Sequence, residues 1–234
     1  MKSYTELLEG VYDPNIFKAF FMAGGPGSGK SFAVMKGIGQ AQKKVRVTSQ
    51  GLKVVNSDDI FEKYLKDAHL NFKMQAAQGK QRDALRTKAK IVTAKRKDNY
   101  LEGRLGLVID GTGKDFNKIS SQAAGLRQLG YDTHMIFVNT TLEVALQRNQ
   151  ERDRTVPEKV AIDSWKQVQS NIGKFQSFFG PKNFIIVDND VPDTDGKLFD
   201  HVFKKVQGLL RKKVDNFIAK AWMNKELRLK QRWC

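Results

Sequence analysis

With 234 residues the chain can bury one substantial hydrophobic core, and a single α/β domain of this length is ordinary. Its one cysteine is the terminal Cys234, which excludes an internal disulfide and a cysteine zinc site and leaves no placement for a catalytic thiol. The three histidines, His69, His134 and His201, are too scattered to give metal-ligand spacing, and no apolar run is long enough to cross a bilayer.

The formal net charge of +16 makes polyanions the natural partners, by attraction and counterion release. Solvated helix faces that only keep the protein soluble would give the same composition. Met1 to Gly10 lacks the long apolar stretch of a secretory leader, so the expectation is a cytoplasmic chain without membrane contact.

The first element in chain order is a strand near 18–23. Its apolar end, Phe20-Phe21-Met22-Ala23, runs directly into Gly24-Gly25-Pro26-Gly27-Ser28-Gly29-Lys30-Ser31, with Phe32 following. In this G-x-x-x-x-G-K-[ST] pattern the glycines take backbone angles closed to other residues, turning several N–H groups toward one point where a triphosphate can sit. Lys30 supplies a charge to the β/γ phosphates and Ser31 can hold Mg²⁺. A helix near 30–41 adds its N-terminal dipole to the same site.

A second strand, near 53–56, leads through Asn56-Ser57 to Asp58 and Asp59 and a helix near 58–67. Open α/β sheets put their ligands at this C-terminal edge. A carboxylate there can accept the proton of an attacking hydroxyl, or an aspartate can simply cap the helix. A long basic helix is expected over 82–102. From Lys73 to Arg104 ten lysines and arginines face three acids, a net of +7.

Gly103 stops that helix before a strand near 105–109 ending in Asp110-Gly111-Thr112-Gly113. Beside a phosphate loop, Asp110 becomes a candidate ligand for Mg²⁺ or its water, and Thr112 is available to hydrogen-bond substrate. A helix near 116–129, a strand near 133–138 and a helix near 141–150 follow. The segment Arg148-Asn149-Gln150-Glu151-Arg152-Asp153-Arg154 is either a solvated helix end with local ion pairs or a lid. Lid arginines that close over a transferred phosphoryl group are worth on the order of 10³–10⁵ in rate.

Thr155-Val156-Pro157-Glu158 has the pattern of a capping box opening a helix over 157–178, and a strand near 184–188 comes next. The last helix is expected over 197–222, with an apolar stripe through Phe199, Val202, Val206 and Leu209. From Lys197 to Cys234 eleven basic residues face three acids, a net of +8. Beyond Trp222 the basic tail with Trp233 is either a frayed terminus or a contact for a partner protein or a nucleic acid strand.

Strands alternating with helices predict an open parallel sheet of about five strands covered on both sides, the P-loop NTPase fold. Residues 1–196 form the expected nucleotide-binding domain with an N-terminal extension. Residues 197–234 form a long basic helix and tail packed on it.

Taken together, G-G-P-G-S-G-K-S, N-S-D-D-I-F, L-V-I-D-G-T-G-K and Q-R-N-Q-E-R-D-R-T-V-P resemble the zeta-toxin and polynucleotide-kinase branch of P-loop kinases. The resemblance covers about residues 17 to 188. It implies an ATP-dependent phosphotransferase using Mg²⁺, with Gly24 to Phe32 on the nucleotide and Lys30 and Ser31 on phosphate and metal. Asp58 matches the hydroxyl-activating base, and Asp59 is left as cap or as a group near the substrate. Arg152 matches the lid arginine, with Arg148 and Arg154 as further matches.

Asp110 stands where zeta toxins carry a glutamate that contacts the sugar substrate, one methylene longer. A DNA, RNA or nucleotide acceptor explains the basic helix better than a small neutral metabolite. The alternatives are a zeta-type kinase of a nucleotide sugar and a nucleic-acid-binding ATPase. The ATPase would want a glutamate beside the strand-end aspartate to activate water, and Gly111 follows Asp110 instead.

Overall fold

The computed structural model describes residues 10–39, 47–70, 72, 79–151, 155–191 and 195–231. Five strands, β1 (Lys18–Ala23), β2 (Lys53–Val55), β3 (Leu107–Asp110), β4 (Asp132–Asn139) and β5 (Phe184–Asp188), form one sheet in the order β2-β3-β1-β4-β5. Every pairing is parallel. Parallel strands need crossovers, and the helices that make them cover both faces, which is why β1 is buried along its whole length.

The two faces divide β1 with a period of two. Ala19, Phe21 and Ala23 join Leu107, Met135 and Phe137 in one core cluster, filled by Ala123 and Leu126 of α4 (Phe116–Gln128) and Phe175 and Phe179 of α7 (Ile172–Phe179). Phe20 and Met22 join Val108, Ile136 and Val187 in the other, filled by α1 (Lys30–Gly37) and by Phe199, Val202 and Val206 of α8 (Lys197–Leu210). Beside edge strand β2, α2 (Asp58–Asp67) packs against α3 (Gly79–Glu102).

The helix expected over 157–178 is two, α6 (Glu158–Ser170) and α7, broken at Asn171. Its buried amide donates to the carbonyls of Gly113 (3.1 Å) and Lys114 (2.8 Å), which turns the chain toward the loop after β3. The capping box does not form. Pro157 occupies the N-cap position of α6 without a side-chain cap, and the Val156 amide donates instead to Asn149 Oδ1 of α5 (Leu142–Glu151).

The single long C-terminal helix is likewise corrected to two, α8 and α9 (Phe217–Gln231). The exposed triplet Arg211-Lys212-Lys213 has no apolar residue to continue the stripe, and Asn216 Oδ1 accepts from the Ile218 amide at 2.9 Å to start a new helix. Trp222 of α9 packs edge-on to Phe17, which precedes β1 (5.6 Å), and under the Arg104 guanidinium, which precedes β3 (5.6 Å). Ala219 lies against Gly130, just before β4. The helix therefore covers the N-terminal edge of the sheet, opposite the edge to which the phosphate-loop sequence belongs.

His134 is buried in β4 against Phe20, their rings 4.9 Å apart. Burial pushes its pKa down from 6.5 to about 4, against the opposing pull of Asp132, so it is neutral at pH 7. No described helix is long and apolar enough to cross a membrane.

Candidate active site

At the C-terminal edge of the sheet, β1 opens into the Gly24–Ser31 loop and α1. Gly27 (φ 78°) and Gly29 (φ 85°) take left-handed angles, and both are crowded as well. A Cβ on Gly27 would lie 2.0 Å from the Ala145 carbonyl oxygen, and one on Gly29 would lie 2.2 Å from Asn189 Nδ2. No side chain caps α1, so the first-turn amides remain directed into the loop, as an anion site requires. Lys30 Nζ donates to the Gly24 carbonyl at 2.6 Å, inside the same turn. Ser28 Oγ is buried there with no hydrogen-bond partner among the described residues. These features fit a bound triphosphate.

Neighbouring elements hold the loop in place. Asn189, just beyond β5, donates from Nδ2 to the Ser28 carbonyl at 2.8 Å. Arg148 of α5 donates from Nη1 to the Asn189 carbonyl at 2.6 Å and from Nη2 to that of Asp190 at 3.4 Å, so its guanidinium braces this strand end. Thr112 meets the loop through its backbone, whose carbonyl accepts from the Gly24 amide at 3.1 Å, while the residue itself is exposed. Phe32 is 45% exposed and its ring stands edge-on to Phe199 at 5.1 Å, so of this residue only the backbone faces the loop.

Strands β2 and β3 bring up the acids. In the parallel register Asp110 lies beside Met22, two residues before Gly24. Asn56 joins Asp110 to Asp58: its Nδ2 donates to Asp110 Oδ2 at 2.8 Å and its Oδ1 accepts from the Asp58 amide at 2.8 Å. Asp58 and Asp59 both fall in the first turn of α2, where the helix dipole favours negative charge. Neither occupies the N-cap position, which belongs to Ser57.

Arg86 of α3 donates from Nη1 to Asp58 Oδ1 at 2.6 Å, and its guanidinium lies over the Phe61 ring, 5.0 Å from the centroid. Ser31 is exposed at the head of α1 and Asp110 is half-buried. Among the described residues no group of three or more His, Cys, Asp or Glu is placed to hold a metal ion. A Mg²⁺ that keeps most of its ligands as water and phosphate oxygen needs no such cage, so Ser31 and Asp110 fit it.

Arg152 and Arg154 lie outside the described residues. Asn149 and Val156, on either side of them in sequence, are joined by the Asn149 amide, which donates to the Val156 carbonyl at 2.8 Å.

Sequence reasoning passed over three residues. Arg86 was one basic residue among ten, and Asn56 was read only as part of a motif. Asn189 follows Ile185-Ile186-Val187-Asp188, the same apolar-strand-then-acid pattern that drew attention to Asp110.

A family model described as Zeta toxin matches residues 11–198. No curated protein matches the chain. Among solved structures, the AvrRxo1-ORF1:AvrRxo1-ORF2 complex with ATP contains a similar chain, with a TM-score of 0.57 at 14% identity over 85% of this chain and 65% of that one. The same complex with sulphate ions gives 0.57 at 15% identity, over 85% and 66%. The present chain thus spans a little under two thirds of the length of those chains. A candidate kinase of Chloroflexus aurantiacus J-10-fl is similar with a TM-score of 0.53 at 13% identity, over 82% of this chain and 97% of that one. At these identities the structures speak to the fold alone. The family is given by the model that spans most of the sequence, and the phosphate loop stands where that fold needs it: the chain belongs to the zeta toxin family.

Proposed function

We propose that the chain transfers the γ-phosphoryl group of ATP to a hydroxyl of a nucleic acid or nucleotide, with Asp58 as the base. The observation that carries this is the Asn56 bridge, which ties Asp58 at the start of α2 to Asp110 at the end of β3, the strand next to the one that leads into the phosphate loop. Gly24 to Ser31 cradle the triphosphate, and Lys30 turns from the Gly24 carbonyl to the β/γ oxygens. Mg²⁺ on Ser31 and Asp110 would offset the charge gathering on those oxygens as transfer proceeds.

The acceptor hydroxyl approaches the α2 N-terminus, where Asp58 takes its proton as the new O–P bond forms and ADP leaves. Arg152, with Arg154 as a further match, closes over the transferred group. The protein acts mainly by positioning and by charge.

The basic α3 flanks Asp58, which favours an anionic acceptor. A zeta-type reaction on a nucleotide sugar is the second reading, favoured by the family itself. The basic α9, at the other edge of the sheet, is left for a partner, a protein or another polyanion, rather than for the reacting hydroxyl.

The test is transfer of label from γ-labelled ATP to 5′-hydroxyl DNA and RNA, nucleosides and nucleotide sugars, at low and high salt, with Asp58→Asn as the blank. Label on nucleic acid that fades as salt rises is the expected result. Label on a nucleotide sugar alone replaces it with the second reading. Free phosphate with no labelled acceptor identifies an ATPase.

A further inference from the structure

Arg86 holds an unusual position for a surface arginine of a basic helix. One edge of its guanidinium is fixed by Asp58 at 2.6 Å and one face rests on the Phe61 ring at 5.0 Å. The side chain still keeps 32% of its exposure. A guanidinium has five donors in a rigid fork, and the Asp58 bond accounts for a single one. The plane of the remaining donors is therefore set by Asp58 and Phe61, and part of the side chain is open to solvent.

That arrangement has the features of an anion receptor: a planar fork, pre-set, whose outward edge matches two oxygens of a phosphate. Because the other edge holds the base, an anion bound here lies roughly 5–7 Å from the Asp58 carboxylate, two hydrogen-bond lengths plus the width of the guanidinium. The outward charge continues along the helix. Lys90 and Lys97 follow Arg86 at four and eleven residues, spacings that return to the same side of an α-helix.

Resting on the kinase reading above, we infer that Arg86 is a specificity-determining residue. It binds a phosphate group of the acceptor next to the hydroxyl that Asp58 activates, so the enzyme selects acceptors that carry such a phosphate. Arginine at this point keeps one contact to the base while gripping the substrate, and thereby couples acceptor binding to placement of the catalytic carboxylate. The phosphate could be an internucleotide linkage or the diphosphate of a nucleotide sugar, and the chemistry of recognition is the same.

The experiment compares full-length wild type, Arg86→Ala and Arg86→Lys on two pairs of acceptors. One pair is a 5′-hydroxyl oligodeoxynucleotide and its copy with a neutral methylphosphonate at the first linkage. The other is UDP-glucose and glucose. In wild type the charged member of one pair has the higher kcat/KM, and which pair responds identifies the source of the phosphate.

Arg86→Ala is expected to raise KM for that charged acceptor about 10- to 100-fold while leaving the neutral member within a few-fold, and Arg86→Lys to retain part of the preference. Equal loss on charged and neutral acceptors would show that Arg86 only places Asp58, and survival of the preference in Arg86→Ala would equally overturn the inference. If wild type labels none of the four, the acceptor reading fails by itself. Titration of the oligonucleotide and of UDP-glucose onto chain saturated with MgADP then decides: weaker binding to Arg86→Ala supports the receptor, and unchanged or absent binding rejects it.

Discussion

Asn189 reaches from the end of β5 to the phosphate loop, its side-chain amide donating to the Ser28 carbonyl at 2.8 Å. Arg148 in turn braces Asn189 through its carbonyl, so a residue at the sheet's far strand sets the shape of a loop on the central one. Removing this amide leaves a buried carbonyl unpaired, which costs about 1–3 kcal/mol. Asn189→Ala should raise the KM for ATP by about 5- to 50-fold with a smaller change in kcat. Initial-rate kinetics over ATP concentration read this directly, and an unchanged KM would mean that the loop holds its shape without support.

Lys30→Ala should remove turnover while leaving the fold intact, because the bond from Lys30 to the Gly24 carbonyl lies within the loop. Gly27→Ala should do more damage. Its Cβ would meet the Ala145 carbonyl oxygen at 2.0 Å and its φ of 78° disfavours a side chain, so binding of ATP itself is lost. Circular dichroism paired with fluorescent-nucleotide titration separates the two: a folded Lys30→Ala that still binds weakly, and a Gly27→Ala that does not bind.

Of the two basic helices, α3 meets Asp58 through Arg86, whereas α9 packs through Trp222 on Phe17, before the start of β1. If the acceptor is a polynucleotide, Lys90→Glu with Lys97→Glu should raise its KM and lower the slope of log kcat/KM against log salt by about 2. The pair Lys220→Glu with Lys225→Glu on α9, both exposed, should leave that slope unchanged. The reverse pattern would move the acceptor path to the other edge.

His134 makes stability depend on pH. Its folded-state pKa is depressed from 6.5 to about 4, so the unfolded chain binds the extra proton between those values. The stabilisation is fully present above about pH 6.5 and is lost as pH falls toward 4. Between pH 7 and pH 5 the loss is about 2 kcal/mol. Urea melts at both pH values, compared with those of His134→Leu, isolate the histidine: the variant should show a flatter dependence by that amount, and parallel curves would rule it out.

Several elements were legible because their signal is local. β1 and β5 run over the expected residues, as does α2, since a strand buried on both faces reads as a short apolar run and a helix start is marked by its own acids. The phosphate loop was legible for a similar reason. Its glycines are needed for backbone angles that few other residues accept, so the chemistry is written in consecutive positions.

The breaks at Asn171 and at 211–216 were not legible. Each depends on a side chain bonding backbone groups instead of continuing a pattern, and at Asn171 those groups are the distant carbonyls of Gly113 and Lys114.

By itself, then, the sequence determined a parallel α/β sheet, a glycine-rich loop of phosphate-binding pattern at the end of its first strand, and acids after two others. Only the tertiary structure decided which charges matter. Arg86 meets Asp58 across 28 residues, Asn56 meets Asp110 across 54, and Asn189 meets Ser28 across 161. A lysine- and arginine-rich helix has the same composition whether its charges face solvent or a strand-end carboxylate. The way α3 packs on α2, and α9 on the segment before β1, rests on contacts between residues far apart in the chain, and no local pattern records it.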